Sequence, residues 1–296
     1  MNNLVSFIIP TLNRHDDLKE TIQMLDKQNY RNYEIIIVDN NSSDNTIDMV
    51  KEYENIKYYR LNENIGCVAA RNYGFSRSKG DIIIFLDDDS FPGKNSISKT
   101  MEIFLNNPDV GVITFNIKDY NTSIDEFEKY EKNSTSLNEN YYWSGCGGAF
   151  KREILEKEGL LDEWGMESPY ELSISAKAIR LGLKCVSNDE IFVFHKWSGK
   201  GDPAEFRTSQ KNFFIPTFKS YIYYLFKYSN YNFFFLKKII WLFWCATYNS
   251  INKFNLSYIV AFSEAILSFR KIKKIRQPLK SKDLKKVLPS FVFLGH

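Results

Sequence analysis

Three consecutive carboxylates, Asp87, Asp88 and Asp89, close the segment IIIFLDDDS that runs from Ile82 to Ser90. Like charges set side by side at the end of an apolar run repel one another, so something must hold them there. Three arrangements would serve. One is a turn in which Asp or Ser caps the helix after Pro92. Another is a calcium site, although no EF-hand spacing follows the aspartates. The third is a divalent cation bridging to a diphosphate, and the cation would cancel the repulsion directly. Asp39 ends an earlier apolar run, EIIIVD, and Arg71 lies between the two runs. Those neighbours favour the cation.

The elements that must position these groups follow from hydrophobic periodicity. Val5 to Pro10 is a short β-branched strand, and Asp16 caps a helix with Leu18, Ile22 and Leu25 on one face. Tyr33 to Asn40 is a second strand. Ser42, Ser43 and Asp44 offer caps for a helix with Ile47, Val50 and Tyr53 inward. A strand over Ile56 to Leu61, a helix over Ile65 to Ser78, the strand DIIIFL, a helix over Asn95 to Leu105 and a strand over Val110 to Phe115 complete the first half. Strands without period-2 alternation, separated by amphipathic helices, imply parallel crossovers in an open α/β sheet. Ligands of such sheets bind beyond the carboxyl ends of the strands. Pro10-Thr11-Asn13-Arg14, Asp39-Asn40-Asn41 and Asp87-Asp88-Asp89 all fall at such ends, so they converge on one crevice. Beyond this half the chain reads as polar and irregular, a loop or short helices, from Asn116 to Glu139, then as the glycine-rich WSGCGGAF (Trp143 to Phe150). Helices over Lys151 to Lys157 and Pro169 to Arg180 follow, then one or two strands over Cys185 to His195.

The chain has 296 residues, 44% hydrophobic and 25% charged, which suits one large domain with an appendage. A net charge of +3 gives no reason to expect a nucleic-acid partner. Cys67, Cys146, Cys185 and Cys245 are widely spaced without a CxxC pair, so a zinc site or disulfide framework is not expected and a reducing compartment is. The first residues, MNNLVSFIIPTLNR, do not read as a signal peptide. The last third is dense in Phe, Tyr, Ile and Leu. Its longest strictly apolar run, Ile239 to Ala246, falls short of the roughly 18–20 residues of a spanning helix. Ile251, Phe254, Tyr258, Phe262, Ala265, Ile266 and Phe269 form a helical stripe, followed by a basic run from Arg270 to Lys286. Two readings of this region stay open: peripheral contact with an anionic membrane, or core-packed helices with a solvated basic tail.

VSFIIPTLNR, EIIIVDNNSSDNT, NENIGCVAARNYGF and DIIIFLDDD, in that order and spacing, resemble the donor-binding half of family 2 glycosyltransferases with the GT-A fold. WSGCGGAFKREIL and LLDEW…YEL…RLG resemble the acceptor-side segments of that family. The resemblance covers roughly residues 4 to 200. It implies an α/β, mostly parallel GT-A sheet over residues 1–205, with a donor-nucleotide half (1–115) and an acceptor half (116–205). A helical, aromatic and basic region follows over 206–296. No GxGxxG or P-loop is present to support a dinucleotide or ATP site.

The resemblance also implies roles. Pro10, Thr11, Asn13, Arg14, Asp39, Asn64, Gly66, Arg71 and Asp88 would contact the donor nucleotide, with Arg71 offering its fork to phosphate. Asp87 and Asp89 would hold Mn2+ or Mg2+, and His195 would add a metal contact or remain a hydrogen-bonded strand-end histidine. Trp143, Gly145, Gly147 and Gly148 would meet the acceptor. The general base is where the sequence departs from the family: an EDxDL segment is replaced by YELSI, so ungapped counting puts the base at Glu171, with Glu167 in reserve and Tyr170 where a Glu is usual. The implied function is inverting transfer from a nucleotide-sugar, with UDP favoured, to a glycan or lipid-linked hydroxyl in cell-surface polysaccharide assembly. The implied location is cytoplasmic, at the inner face of the cell membrane. The alternative is a catalytically weak nucleotide-sugar-binding protein that recruits an envelope assembly.

Overall fold

The computed structural model describes residues 3–124, 127, 136–142, 145–163, 170–196, 219, 221–231, 233–252 and 256–287. The β-branched runs become β1 (Val5–Thr11), β2 (Tyr33–Asp39), β3 (Ile56–Arg60) and β4 (Ile82–Leu86), paired in parallel in the order β3-β2-β1-β4. Alternate residues of these strands face opposite ways into two apolar layers. Phe7, Ile35, Ile37 and Ile84 pack with Leu18, Ile22 and Leu25 of α1 (His15–Asp26) and with Met49 and Val50 of α2 (Thr46–Val50). Ile8, Ile36, Ile83 and Phe85 pack with Val68, Ala70 and Phe75 of α3 (Cys67–Arg77). Burial on both faces explains why these strands read as continuous apolar runs.

The second half is mixed rather than parallel. After β4 come β5 (Ser90–Pro92), α4 (Ser96–Asn106), β6 (Val110–Asp119), α5 (Tyr120–Ser123), β7 (Asn138–Glu139), β8 (Gly147–Lys151), α6 (Glu153–Glu158), α7 (Tyr170–Arg180) and β9 (Lys184–His195). The sheet continues from β4 through β8, β6 and β9 to β5, with β7 also on β9. β8 runs antiparallel to β4 and β6, and β5 antiparallel to β9. The structure adds to the sequence reading in three places. The segment read as a loop or short helices from Asn116 begins as the continuation of β6 through Asp119, and its expected short helix is α5. The glycine-rich segment contains a strand, because a Cβ on Gly147 would lie 2.7 Å from a Val193 methyl and only a bare backbone fits against β9. β5 was not foreseen: three residues are too few to show periodicity, and they are held by long-range pairing with Val193 to His195.

The C-terminal helices are α8 (Phe233–Asn252), α9 (Ser257–Leu267), α10 (Phe269–Lys274) and α11 (Ser281–Val287). With the helical segment 221–228 they build a separate apolar cluster, which Leu172 and Ala176 of α7 join. For the stripe that began at Ile251, core packing holds. Tyr258 and Ala265 are buried, Phe262, Ile266 and Phe269 pack against the cluster, Ile251 is 66% exposed, and Phe254 lies outside the described residues. Among the described residues no helix is long and apolar enough to cross a membrane.

A buried ion pair joins this cluster to α7. Lys227 and the Tyr228 hydroxyl donate to Asp162, whose Oδ2 also accepts from Ser173 of α7 at 3.0 Å. Removing one partner leaves the other charge buried and alone. Lys227→Met is therefore expected to lower the unfolding free energy in urea by about 3 kcal/mol. Adding Asp162→Asn should recover part of that loss, and an unchanged midpoint in the single variant would contradict the pairing.

Candidate active site

The three aspartates occupy a closed turn between β4 and β5. The Ser90 N–H donates to the Asp87 carbonyl at 3.2 Å, and the Asp87 N–H donates to Ser90 Oγ at 2.9 Å. The Ser90 hydroxyl also reaches the Cys146 carbonyl at 2.8 Å, tying the turn to the approach to β8. The antiparallel pairing of β5 with β9 sets Ser90 opposite His195. His195 Nε2 thereby lies 3.1 Å from Asp89 and 3.9 Å from Asp87.

Each carboxylate meets positive or hydrogen-bonding groups, with Arg14 shared between Asp88 and Asp89. Asp87 pairs with Arg71 at 2.6 Å. Asp88 is buried, accepts from the Thr11 hydroxyl at 2.8 Å and lies in an ion pair 3.3 Å from Arg14 Nε. Asp89 takes Arg14 at 2.8 Å on one oxygen and His195 on the other. Burial pushes Asp88 up to about 7, against the pull of Arg14 and Thr11. Burial would raise Asp89 as well, but its hydrogen bond to His195, the charge of His195 and Arg14 hold it at about 2. Burial would lower His195, yet Asp89 and Asp87 override it and raise the imidazole. The aspartates do form a turn, but neither they nor Ser90 cap the following helix, which starts after Asn95 without a side-chain cap; the repulsion is offset by Arg71, Arg14 and His195.

The other strand ends close around this turn. Thr11 sits opposite Asp39 in the β1–β2 register, and the Asn40 N–H donates to the Thr11 carbonyl. Asp39 is buried; it accepts from the Ser42 N–H at 2.7 Å and from the Tyr58 hydroxyl, so it shapes the loop entering α2. Asn13, at φ 54°, donates its N–H to Ser42 Oγ and accepts from the Ser43 N–H at 2.7 Å, locking the first two loops together. Asn64 accepts from the Gly66 N–H at 2.9 Å, and Gly66 starts α3 from φ 85°, which glycine adopts without strain. Pro10 lies buried in β1 beside Thr11.

Arg71 is buried at the back of the acidic turn. It is 1% exposed, and its guanidinium lies behind Asp87, bonded to the Cys67 sulfur and to the Gly145 carbonyl at 3.2 Å. The Tyr170 ring stacks 4.7 Å from it and Phe85 lies 5.5 Å away. Its two terminal nitrogens bond to Cys67, Asp87 and Gly145, so it props the Asp87 carboxylate from behind. Tyr170, where the family usually has an acid, supplies the aromatic wall. The sequence marked Tyr170 as a replacement for an acid, but its stacking on Arg71 depends on a contact between distant segments.

Gly145 links Arg71 to Glu171. Its carbonyl accepts from Arg71 and its N–H bonds to the Glu171 carboxyl. Burial pushes that carboxyl up to about 7, although the backbone N–H groups and Arg71 pull the other way. Of the three glycines assigned to the acceptor, Gly147 and Gly148 lie buried inside β8, paired with Leu86 and Phe85, and Val193 crowds the Gly147 position. Trp143 and the reserve base Glu167 lie outside the described residues.

Asp87, Asp89 and His195 offer two carboxylate oxygens and an imidazole nitrogen within 4.8 Å of one another. Such a donor set suits Mn2+ or Mg2+, and the Asp87 side chain, 35% exposed, leaves one side open. The residues therefore fit a divalent cation.

The model for "Glycosyl transferase family 2" matches residues 6–161, more than half of the chain. The chain belongs to glycosyl transferase family 2. The GalNAc(5)-diNAcBac-PP-undecaprenol beta-1,3-glucosyltransferase of Campylobacter jejuni is 36% identical over 104 residues, covering 33% of this chain and 33% of that protein. A Haemophilus influenzae protein is 29% identical over 172 residues, covering 54% of this chain and 93% of that protein. The chain thus spans a third of the Campylobacter enzyme and nearly all of the Haemophilus one. S. aureus TarS in complex with UDP-GlcNAc matches with a TM-score of 0.65 at 16% identity, over 92% of this chain and 83% of that chain. GalNAc-T7 with UDP, GalNAc and Mn2+ matches at 0.64 and 16%, over 96% and 56%. At those identities the likeness is one of fold, and this glycosyltransferase has the GT-A architecture.

In this family 2 glycosyltransferase a Cβ on Gly145 would lie 2.0 Å from the Tyr170 oxygen and 3.0 Å from Glu171. Gly145→Ala is expected to displace Tyr170 from Arg71 and to cost roughly 1–3 kcal/mol in thermal or urea unfolding. Adding Tyr170→Phe, which removes the clashing oxygen, should restore most of the loss. No recovery in the double variant would contradict this packing.

Proposed function

We propose that this glycosyltransferase moves a sugar, with inversion at the anomeric carbon, from a nucleotide-diphosphate sugar to a hydroxyl of a glycan or lipid-linked acceptor. The observation that carries the reading is the gathering of Asp87, Asp89 and His195 within 4.8 Å, beside the strand ends that bear Thr11 and Asp39. The UDP-bound TarS and GalNAc-T7 structures support UDP as the nucleotide, and the undecaprenol-linked substrate named for the Campylobacter relative supports the acceptor class. The four cysteines are all free thiols, which suits the reducing cytoplasmic side.

Asp87, Asp89 and His195 would hold Mn2+ or Mg2+, which when bound supplies positive charge to the departing diphosphate. The chain's own groups do the rest. Pro10, Thr11, Asn13, Asp39, Asn64 and Gly66 form the edge against which base and ribose settle, and the Asp39 turn fixes its shape. Asp88 stays beneath, anchoring Thr11 and Arg14. Arg14 is partly exposed and spans Asp17, Asp88 and Asp89, so it can turn from Asp89 towards a diphosphate while Asp17 keeps hold of it. Arg71 pairs with Asp87 and keeps it aimed, and through Gly145 it sets the position of Glu171. Glu171 takes the proton from the acceptor hydroxyl as that oxygen attacks the anomeric carbon and the nucleoside diphosphate leaves.

The base must be ionised to act. Because burial lifts Glu171 to about 7, the carboxyl is protonated and idle at lower pH. Transfer by the purified protein, assayed with a panel of UDP-, GDP- and dTDP-sugars, is expected to show a kcat/KM that climbs about tenfold per pH unit below roughly 7 and levels off above it. Glu171→Gln should reduce kcat by at least about 10²-fold while leaving donor binding intact. Full turnover in Glu171→Gln would overturn the assignment of the base.

A further inference from the structure

One face of α8 is seated in the C-terminal cluster through Leu242 and Ala246, with Cys245 buried on the same side. The opposite face is bare and apolar: Leu236 is 51% exposed, Ile240 60%, Phe243 53%, Trp244 51%, Tyr248 44% and Ile251 66%. At 100° per residue these six positions share an arc of about 140° that runs the length of the helix. Trp244 stacks on Tyr248 at 5.3 Å, and Phe243 meets Phe262 of α9 at 5.5 Å. α9 extends the surface with Val260 and Leu267, 51% and 80% exposed. A contiguous face of large apolar side chains marks a contact surface. This is not the stripe that the sequence pointed to, which is largely packed inside.

The charges beside this face select its occupant. α8 contains no acidic residue, and Lys237 is exposed at its fifth position. α10 carries no acid either and exposes Lys271, Lys273 and Lys274. On α9 the exposed Glu264 is paired with Lys219. The helix is not long and apolar enough to cross a bilayer, and its other face is committed to the protein core. An amphipathic helix with lysines nearby and with Trp and Tyr on its apolar side has the composition of one that lies flat in the headgroup region. We propose that the exposed face of α8, continued by α9 and with α10 supplying positive charge, seats this protein on the surface of an anionic bilayer. The inference stands on the C-terminal helices alone and does not depend on the catalytic assignment.

The test is co-sedimentation of the full chain with vesicles of phosphatidylcholine alone or with one-third phosphatidylglycerol. Wild-type protein is expected to bind the anionic vesicles and to bind neutral ones at least about tenfold more weakly. The triple change Ile240→Gln, Phe243→Gln, Trp244→Gln should weaken binding by at least about tenfold with an unchanged Tm, since these side chains face outwards. The conservative variant Trp244→Phe serves as a second measurement that disturbs the helix little. Brominated phosphatidylglycerol should quench wild-type tryptophan emission, and Trp244→Phe should lose most of that quenching. Absence of wild-type binding to anionic vesicles would overturn the proposal, as would equal binding by the triple variant or unaltered quenching in Trp244→Phe. A dimer in light scattering that the triple change dissolves, without vesicle binding, would assign the face to a second copy of the chain instead.

Discussion

Three adjacent carboxylates can sit at the end of a buried strand only if their mutual repulsion is offset, and in this protein the compensating groups come from segments far apart in the chain. Arg71 descends from α3 onto Asp87, Arg14 crosses from the β1–α1 loop to Asp88 and Asp89, and His195 arrives on β9 beside Asp89. Removing any one of these would leave a poorly solvated charge uncompensated. The sheet order follows the same requirement: β1 and β4 must be neighbours for Thr11 to reach Asp88, and β5 must pair with β9 for His195 to reach Asp89.

The two arginines carry different duties. Arg71 is fully enclosed by Asp87, Gly145, Phe85 and Tyr170, a fixed strut between the acidic turn and the segment that meets Glu171. Arg14 is more open and touches three acids, so its charge can be shared with an incoming anion. A fixed cation and a transferable one give the site a stable electrostatic frame with one adjustable member. Preorganisation of this kind lets an active site respond to developing charge without large rearrangement.

Much of this was legible in the sequence where the information is local. Ile35 to Val38 and Ile82 to Leu86 are unbroken apolar runs because both faces of the sheet are covered, and the polar residues at their ends mark the crevice. What sequence could not deliver depended on contacts between distant segments. Arg71 looks the same in sequence whether it faces a phosphate or Asp87. Gly147 resembles a ligand-contact glycine, yet Val193 on another strand dictates its size. Tyr258 and Ile251 belong to one helical stripe by spacing, yet one is 6% and the other 66% exposed, because the packing partners of the C-terminal helices decide which face is covered.

The claim on which the account rests is that the acidic turn, with His195, is a cation site. Calorimetric titration of Mn2+ into the protein with UDP present tests it most directly. The account predicts one Mn2+ per chain in the wild type and at least about tenfold weaker binding in Asp87→Asn, Asp89→Asn protein. Undiminished Mn2+ affinity in that double variant, with its fold intact, would contradict it.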